Sequence, residues 1–447
     1  MELSPEQVIA LQSYQAGKNI FLTGPGGSGK TELIRRMVKH AQEEGKKIQV
    51  CALTGCAAVL LACKAKTVHS FAGIGLANGS VEEVVRKVVS NKYKLKNWVG
   101  IDILIIDEVS MMSWKIFEIL DFIARKSRKK MDVPFGGIQV IFSGDFYQLP
   151  PVGSNDPGEE DTSAFCFESP NWRKTFDVTI CLKTIFRQSD PVYTKILNQV
   201  RIGKLYKSSL DTLEKQLNKE FPLNFKPTIL LPRRKDAETI NTKEINALGG
   251  ETKIYKIAKI KDMPVTISGA CNNKGTEKKN ITEEQYENEY NYLVNNIIAD
   301  KEIVLKVGAQ VMCIANVDME SDEQVVNGSQ GIVVGFVGEL PLVQFNNGTK
   351  RTVGYHIWAS ETLPNFGIKQ IPLIYAWAIT IHKAQGVSLD MAQIDAGSNI
   401  FECGQTYVAL SRVKSLEGLF LTALNPQKIK VNKKVQEFYA AISTEDK

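Results

Sequence analysis

The chain has 447 residues, which exceeds the size of one compact core and predicts two or three domains. Its 43% hydrophobic and 23% charged residues are ordinary for a globular chain, and it contains no run of roughly 20 apolar residues that would cross a membrane. The net charge of +6 is compatible with binding a polyanion but does not establish it.

The N-terminal sequence and the cysteines predict a reducing compartment. The N-terminal MELSPEQV carries two acidic residues and no basic segment, so we expect neither a secretory signal nor a transit peptide. Eight cysteines are scattered without a CxxC pair, and only four histidines accompany them, so we interpret the cysteines as small buried hydrophobic residues. The expected location is the cytoplasm for a bacterial or viral protein, and the nucleus or mitochondrion for a eukaryotic one.

Short apolar runs rich in β-branched residues alternate with helical stretches. The first set is NIFLTG (19–24), IQVCALT (48–54), ILIIDE (103–108) and IQVIFSGD (138–145). The second set is VTICLK near 178, TILLP near 228, LIYAWAITI near 373 and LFLTAL near 419. Each alternation predicts a parallel sheet with crossover helices, so we expect two α/β domains.

A different pattern lies between TILLP near 228 and LIYAWAITI near 373. Residues 254–300 are polar and rich in Lys and Asn, and VGAQVMCIANVD, VVNGSQGIVVGF and LPLVQFNNGT follow. Short alternating strands with Asn-Gly turns predict a small β module inserted into the second domain. The role of 254–300 stays open among an elaboration, a loop and a partner site.

The sequence GPGGSGKT at 24–31 fits G-x-x-x-x-G-K-[ST] between a predicted strand and a predicted helix. Lys30 would reach the β and γ oxygens of a nucleotide, and the Thr31 hydroxyl would hold Mg²⁺. Backbone amides of the loop would surround the phosphates. The other predicted phosphate-binding residues are Gly24, Gly26, Gly27, Ser28 and Gly29.

Two acidic residues and one amide follow later strands. Asp107 and Glu108 end the apolar run ILII, and carboxyl ends of parallel strands are where open α/β sheets bind ligands. We expect Asp107 to hold Mg²⁺ and Glu108 to activate the attacking water. Gln148, within SGDFYQLPPV, is the candidate γ-phosphate sensor, because an amide both donates and accepts hydrogen bonds.

Several strings together resemble superfamily 1 helicases, and more narrowly the petite-integration-frequency (Pif-one) family. The most diagnostic is PFGGIQVIFSGDFYQLPPV at 134–152, and LTGCAAVLL at 53–61 and TVHSFAGIG at 67–75 are similar to the family's DNA-contacting motifs. The segment LSPEQ, with Gln7, resembles the motif that reads adenine. The upstream IARKSRKKMDVPFGG fits more loosely.

The resemblance continues into the C-terminal half. TIFRQSD at 184–190 supplies Arg187 and GQTYVALSRV at 404–413 supplies Arg412, the arginines that the resemblance implies reach the γ-phosphate. AWAITIHKAQG at 376–386 resembles motif V and contains Gln385, which would relay the nucleotide state. The implied nucleic-acid contacts are Thr54, His69, Ser70, Phe71, Thr380, His382 and Lys383. Of these, Phe71 is equally compatible with a core position.

The resemblance implies an α/β fold with two RecA-like P-loop domains, a wedge insertion at about 72–90 and an Src-homology-three-like accessory β domain. The expected division is 1–180 for the first domain, 181–250 with 371–440 for the second, and 251–370 for the accessory domain.

The implied function is a monomeric helicase that uses ATP and Mg²⁺ to move 5′ to 3′ on single-stranded DNA. It would unwind tailed, duplex or structured DNA, including G-quadruplexes, in replication, recombination or genome maintenance. An RNA translocase and a single-strand binding protein with NTPase activity remain alternatives, because grip on a phosphate backbone reads little beyond the sugar's 2′-hydroxyl. A P-loop kinase would not need two arginines from a second domain.

Overall fold

The computed structural model describes residues 3–61, 63, 65–75, 77–153, 162–221, 226–261, 281–297, 299–315, 317, 325, 328–360, 363 and 365–445. The chain divides into two units, Met1–Leu223 with Ile381–Lys447, and Asn224–Thr380. The three-part division predicted from the sequence stays a prediction. Residues 262–280 and 298 of segment 254–300, and residue 76 of the predicted wedge, lie outside the described residues.

The first unit is built on a six-stranded parallel sheet. Its strands are β1 (Ile20–Thr23), β2 (Ile48–Ala52), β3 (Lys66–Thr67), β4 (Ile103–Asp107), β5 (Gln139–Gly144) and β6 (Val178–Cys181). The spatial order is β3-β2-β4-β5-β1-β6, with every pair parallel. The carboxyl ends of β1, β4 and β5 therefore meet at one edge. The predicted P-loop, the acidic pair of Asp107 and Glu108, and the segment that contains Gln148 all begin there.

The helices of this part of the chain connect and cover those strands. They are α1 (Pro5–Gln15), α2 (Lys30–Glu43), α3 (Gly55–Leu61), α4 (Val68–Ala72), α5 (Val81–Val89), α6 (Lys92–Val99), α7 (Trp114–Arg128), α8 (Trp172–Thr175), α9 (Pro191–Arg201) and α10 (Lys207–Glu214). Helix α2 directly follows the P-loop, so its amino end faces the sheet edge described above.

An aromatic cluster fills one face of the sheet. Trp172 lies at its centre, 3% exposed, with ring centroids of six phenylalanines 4.5–6.2 Å away. These are Phe21, Phe117, Phe142, Phe146, Phe176 and Phe438. Phe438 comes from the C-terminal segment, so the cluster joins the two ends of the first unit.

We expect Trp172→Ala to lower the free energy of unfolding of the first unit by about 3–5 kcal/mol, because it empties a large buried volume. Urea unfolding followed by far-UV circular dichroism measures the change. Val133→Ala, at a side chain that is 43% exposed, is the matched control and should leave the unfolding midpoint in place. Equal midpoints for the two variants would contradict this account of the core.

The second unit combines a short parallel pair with antiparallel sheets. Its elements are β7 (Thr228–Leu231), α11 (Arg234–Ala247), β8 (Thr252–Lys256), β9 (Ala258–Ile260), α12 (Glu283–Asn296), β10 (Glu302–Lys306), β11 (Gln310–Cys313), β12 (Gln330–Val337), β13 (Leu340–Phe345), β14 (Lys350–Thr352), β15 (His356–Ala359), β16 (Gly367–Gln370), β17 (Leu373–Tyr375) and β18 (Ala378–Thr380). Strands β7 and β18 are parallel.

The antiparallel part of the second unit contains a five-stranded sheet in the order β14-β13-β12-β11-β17. A three-stranded sheet, β15-β16-β9, and a β8-β10 pair accompany it. The residues buried between these strands are largely Val, Ile, Leu and Phe, as expected for half-buried strands. Short antiparallel strands therefore occur where the sequence predicts a β module, and its insertion into a second domain stays a prediction.

The chain then returns to the first unit through β19 (Ala392–Ala396), α13 (Gln405–Leu410), β20 (Leu419–Leu424) and α14 (Lys433–Glu445). Strands β19 and β20 are parallel. The mixed α/β fold with parallel-sheet RecA-like cores that the sequence predicts is therefore confirmed. Among the described residues, no helix is both long and apolar enough to span a membrane.

Candidate nucleotide site

The loop between β1 and α2 leaves room for side chains from elsewhere in the first unit. Gly27 and Gly29 have φ of +83° and +81°, a region that glycine adopts without strain. A Cβ on Gly27 would lie 2.6 Å from Cβ of Arg187, and one on Gly29 would lie 2.6 Å from Nε2 of Gln7. Because Gly27 and Gly29 have no side chain, Arg187 and Gln7 can pack against the loop.

Lys30 lies inside the curve of this loop. Its Nζ donates to the carbonyl oxygens of Gly24 at 2.8 Å and Pro25 at 3.0 Å. Burial lowers the pKa of Lys30, while nearby carboxylates, of which Asp145 acts most strongly, oppose that shift. The ammonium group is therefore held at the sheet edge, where a phosphate can replace the two carbonyls as its partner.

Gln7 contacts the loop through a helix cap. Its backbone N–H and its Oε1 complete a reciprocal capping box with Ser4 at the start of α1, and its Nε2 donates to the carbonyl of Ser28 at 3.3 Å. The side chain is 3% exposed. Adenine reading by Gln7 stays a prediction, and it requires this amide to exchange its present partners for the base.

The two predicted carboxylates lie together at the end of β4. Glu108 has φ +57°, which is uncommon for a residue with a side chain and is often found at functional sites. Burial, followed by repulsion from Asp107, raises the pKa of Glu108. Burial also raises the pKa of Asp107, and the Lys30 ammonium lowers it. Such a carboxyl pair favours an arriving cation.

Gln385 links the Glu108 carboxylate to the side chain of Gln148. Its Nε2 donates to Oε2 of Glu108 at 3.1 Å and approaches Oε1 of Gln148 at 3.5 Å. Gln148 and Gln385 are 5% and 7% exposed. The predicted water activator and the predicted phosphate sensor thus share one hydrogen-bonding partner from the segment that resembles motif V.

The two predicted arginines meet beside the P-loop. Arg187 donates through Nη1 to the carbonyl of Ser411 at 3.1 Å, and Arg412 donates to the carbonyls of Val408 at 2.9 Å and Val387 at 3.4 Å. Neither forms an ion pair with a carboxylate in the described part of the chain. Burial, with repulsion from Arg187, lowers the pKa of Arg412 to about 9.

The position of the two guanidinium groups is the main electrostatic feature of the site. A Cβ on Gly26 would lie 3.6 Å from Nη2 of Arg412. Arg412 is 2% exposed and Arg187 is half-buried, and the Glu108 carboxylate attracts both guanidinium groups without forming a salt bridge. A bound anion would offset the desolvation of Arg412 and the repulsion between the two arginines. The site is therefore arranged to receive a negative group next to Gly26.

Two contributors were not found from the sequence. Tyr407 of α13 accepts the Gly26 N–H at 2.8 Å, and its string predicts a role for Arg412 alone. Arg201 of α9 forms a bidentate pair with Asp145, both distances being 2.8 Å, and its guanidinium lies over the Tyr147 ring. The only signal for Tyr407 in the sequence is that it lies in the same string as Arg412, whereas Arg201 lies in no recognisable motif.

The predicted nucleic-acid contacts of the first sheet lie near α3 and α4. Oγ1 of Thr54 accepts the Ala57 N–H at 3.2 Å and so caps α3. His69 and Ser70 are half-buried on α4, and burial lowers the pKa of His69. Phe71 is 3% exposed and packs on Trp98 with centroids 4.9 Å apart, which favours the core interpretation, and its contact with a base stays a prediction.

The predicted contacts of the C-terminal half follow β18. Thr380 ends that strand in the second unit and is 9% exposed. His382 and Lys383 begin the C-terminal part of the first unit and are half-buried. The His382 ring lies nearly parallel to that of Phe401, with centroids 6.4 Å apart, and Phe401 is 59% exposed. Their contact with nucleic acid stays a prediction.

The fold and the site are those of a P-loop nucleotide-binding protein with RecA-like cores. Residues 3–208 match the family model described as PIF1-like helicase, and residues 290–336 match that of the DNA helicase Pif1, 2B domain. The chain belongs to the PIF1-like helicase family, which is the petite-integration-frequency family that its motifs resemble.

Individual relatives are similar to this chain over nearly all of its length. The ATP-dependent DNA helicase PIF1 of Emericella nidulans is 34% identical over 95% of this chain and 61% of the relative, so the chain spans about six tenths of that protein's length. A crystal structure of Pif1 helicase from Candida albicans has a TM-score of 0.78 and 33% identity, covering 99% of this chain and 100% of that one. Pif1 helicase from Bacteroides in complex with ADP-AlF3 and ssDNA has a TM-score of 0.66 and 27% identity, covering 100% and 98%.

Proposed function

We propose that this protein is an ATP-dependent DNA helicase that moves 5′ to 3′ along single-stranded DNA and unwinds tailed or structured duplexes. The observation that carries the proposal is that Arg187 and Arg412 both contact the P-loop, and neither forms a salt bridge with a carboxylate among the described residues. Arginines placed in this way stabilise the charge that develops when a γ-phosphoryl group is transferred.

Each remaining group at the site has a role in hydrolysis. Lys30 would exchange its two carbonyl partners for β and γ oxygens. Glu108 would orient a water molecule and accept its proton, and Gln385 fixes the carboxylate that does so. Gln148, at the other end of the Gln385 contact, would report the presence of the γ-phosphate to the segment following β18.

The residues at the sheet edge fit Mg²⁺. Thr31, the second residue of α2, offers a hydroxyl and Asp107 offers a carboxylate, and hard oxygen ligands of this kind suit the ion. Burial raises the pKa of the Asp107 carboxyl, and a cation bound beside it would oppose that shift. When bound, Mg²⁺ would neutralise charge on the phosphate oxygens.

Single-stranded DNA would be held through its phosphates by hydroxyls, backbone amides and imidazole or ammonium groups. The proposed residues are Thr54, His69 and Ser70 near α3 and α4, with Thr380, His382 and Lys383 following β18. The Bacteroides relative described above was crystallised with ssDNA, and the curated relative is named a DNA helicase, which favours DNA over RNA. Low sequence specificity follows from a backbone grip.

We expect single-stranded DNA to stimulate ATP turnover by the full chain, and Lys30→Ala to lower stimulated turnover by roughly 10²- to 10³-fold, as for loss of one preorganised charge-stabilising donor. Steady-state hydrolysis with and without an oligonucleotide measures both effects. Lys18→Ala, at an exposed lysine of the loop preceding β1, is the matched control and should retain full turnover.

Unwinding of duplexes with a 5′ or a 3′ tail on the same preparations tests the direction. Separation that depends on a 5′ tail supports the proposal, and dependence on a 3′ tail reverses the proposed polarity. Turnover that is indifferent to any nucleic acid would refute the motor. Stronger stimulation by an RNA strand of the same sequence would favour the RNA translocase.

A further inference from the structure

Tyr407 brings a hydroxyl group to the P-loop. It lies on α13, and its Oη accepts the N–H of Gly26 at 2.8 Å. A Cβ built on Gly26 would lie 3.6 Å from this oxygen and 3.6 Å from Nη2 of Arg412. The phenol and the guanidinium therefore face the same P-loop residue from one helix and the turn that follows it.

The hydroxyl still has a proton to donate. A phenol carries one donor and two acceptor positions, and the Gly26 N–H occupies one acceptor position. Within the described ranges, the structure gives this O–H no acceptor of its own. The side chain is 3% exposed, and burial raises the pKa of Tyr407 to about 12, so the proton remains at neutral pH.

We propose that Tyr407 senses the γ-phosphate: its O–H donates to a γ-phosphate oxygen of a bound nucleoside triphosphate, while its oxygen continues to accept from Gly26. This inference rests on the proposed ATP-dependent function. The N–H···O–H···O chain strengthens each of its hydrogen bonds, because each polarises the next. A nucleoside diphosphate lacks the acceptor, so Tyr407 makes affinity depend on the third phosphate.

A structural role makes a different prediction. If Tyr407 only braced α13 against the P-loop, removing its hydroxyl would change the affinities for di- and triphosphate by the same factor, or would change neither. If it contacts the γ-phosphate, only the triphosphate loses affinity. The ratio of the two dissociation constants therefore separates the two roles, and it does so even when the variant is somewhat less stable.

The test is Tyr407→Phe in the full chain, with Kd measured calorimetrically for ADP and for the non-hydrolysable analogue AMP-PNP in the presence of Mg²⁺. We expect AMP-PNP to bind roughly 10- to 100-fold more weakly, as for loss of a hydrogen bond to a charged group. ADP should bind as it does to the parent, which also shows that the variant's P-loop is intact.

Tyr193→Phe is the matched control. The Tyr193 hydroxyl is equally buried and donates at 2.7 Å to the carbonyl of Leu410, at the other end of the same helix. Its removal should leave the ratio of the two constants unchanged. Equal weakening of both nucleotides by Tyr407→Phe, or no weakening, would overturn the sensor. A parent that binds ADP and AMP-PNP equally poorly would refute the proposed function itself, and this inference with it.

Discussion

Arg412→Ala is expected to lower kcat for DNA-stimulated ATP hydrolysis by roughly 10³- to 10⁵-fold, the range in which arginines act on phosphoryl transfer. The guanidinium lies against Gly26 of the P-loop without a carboxylate ion pair among the described residues, so its charge is available to the transition state. Removing it leaves Arg187 alone with the developing charge. Steady-state and single-turnover hydrolysis measure the loss.

The main expected defect lies in the chemical step. Arg412→Ala also empties a buried volume and removes the hydrogen bonds to the carbonyls of Val408 and Val387, so hydrolysis is measured below the melting temperature of the variant. Arg412→Lys keeps a cation but loses the planar fork, and it should recover only part of the rate. Arg173→Ala, at an exposed arginine of α8, is the control. Turnover by Arg412→Ala within a few fold of the parent would exclude a catalytic role.

The P-loop and the acidic pair were predictable from the sequence because their geometry is local. In GPGGSGKT and ILIIDE, a strand, a turn and a helix follow one another within a few residues, so the pattern determines the position of Lys30 and Asp107. The parallel sheet was predictable for the same reason, since each apolar run reports its own burial.

The contacts between distant segments were not predictable in this way. Gln385 meets Glu108 across 277 positions of the chain and Tyr407 meets Gly26 across 381. No periodicity in the sequence encodes such a pair, and only the fold brings the two residues together. Phe71 illustrates a different limit, because an aromatic residue in a segment that resembles a DNA-contacting motif is compatible with stacking or with a core. Its packing on Trp98, which favours the core, is visible only in the structure.

Glu108→Gln tests the water-activating carboxylate, and we expect it to lower kcat by about 10²- to 10⁴-fold, the usual contribution of a positioned general base. An amide of the same shape cannot accept the proton of the attacking water. Its oxygen can still accept from Nε2 of Gln385, so the local arrangement should survive. Single-turnover hydrolysis measures the chemical step directly.

Nucleotide affinity separates this defect from a loss of binding. Repulsion from Asp107 contributes to the raised pKa of Glu108, so removing the negative charge should leave Mg²⁺-dependent binding of AMP-PNP equal to that of the parent or tighter. Glu82→Gln, at an exposed residue of α5, is the control and should change neither quantity. If Glu108→Gln instead hydrolyses ATP within about tenfold of the parent, a threshold below the usual range for a general base, another group must activate the water. If it fails to bind nucleotide, Glu108 supports the phosphate site and not the chemical step.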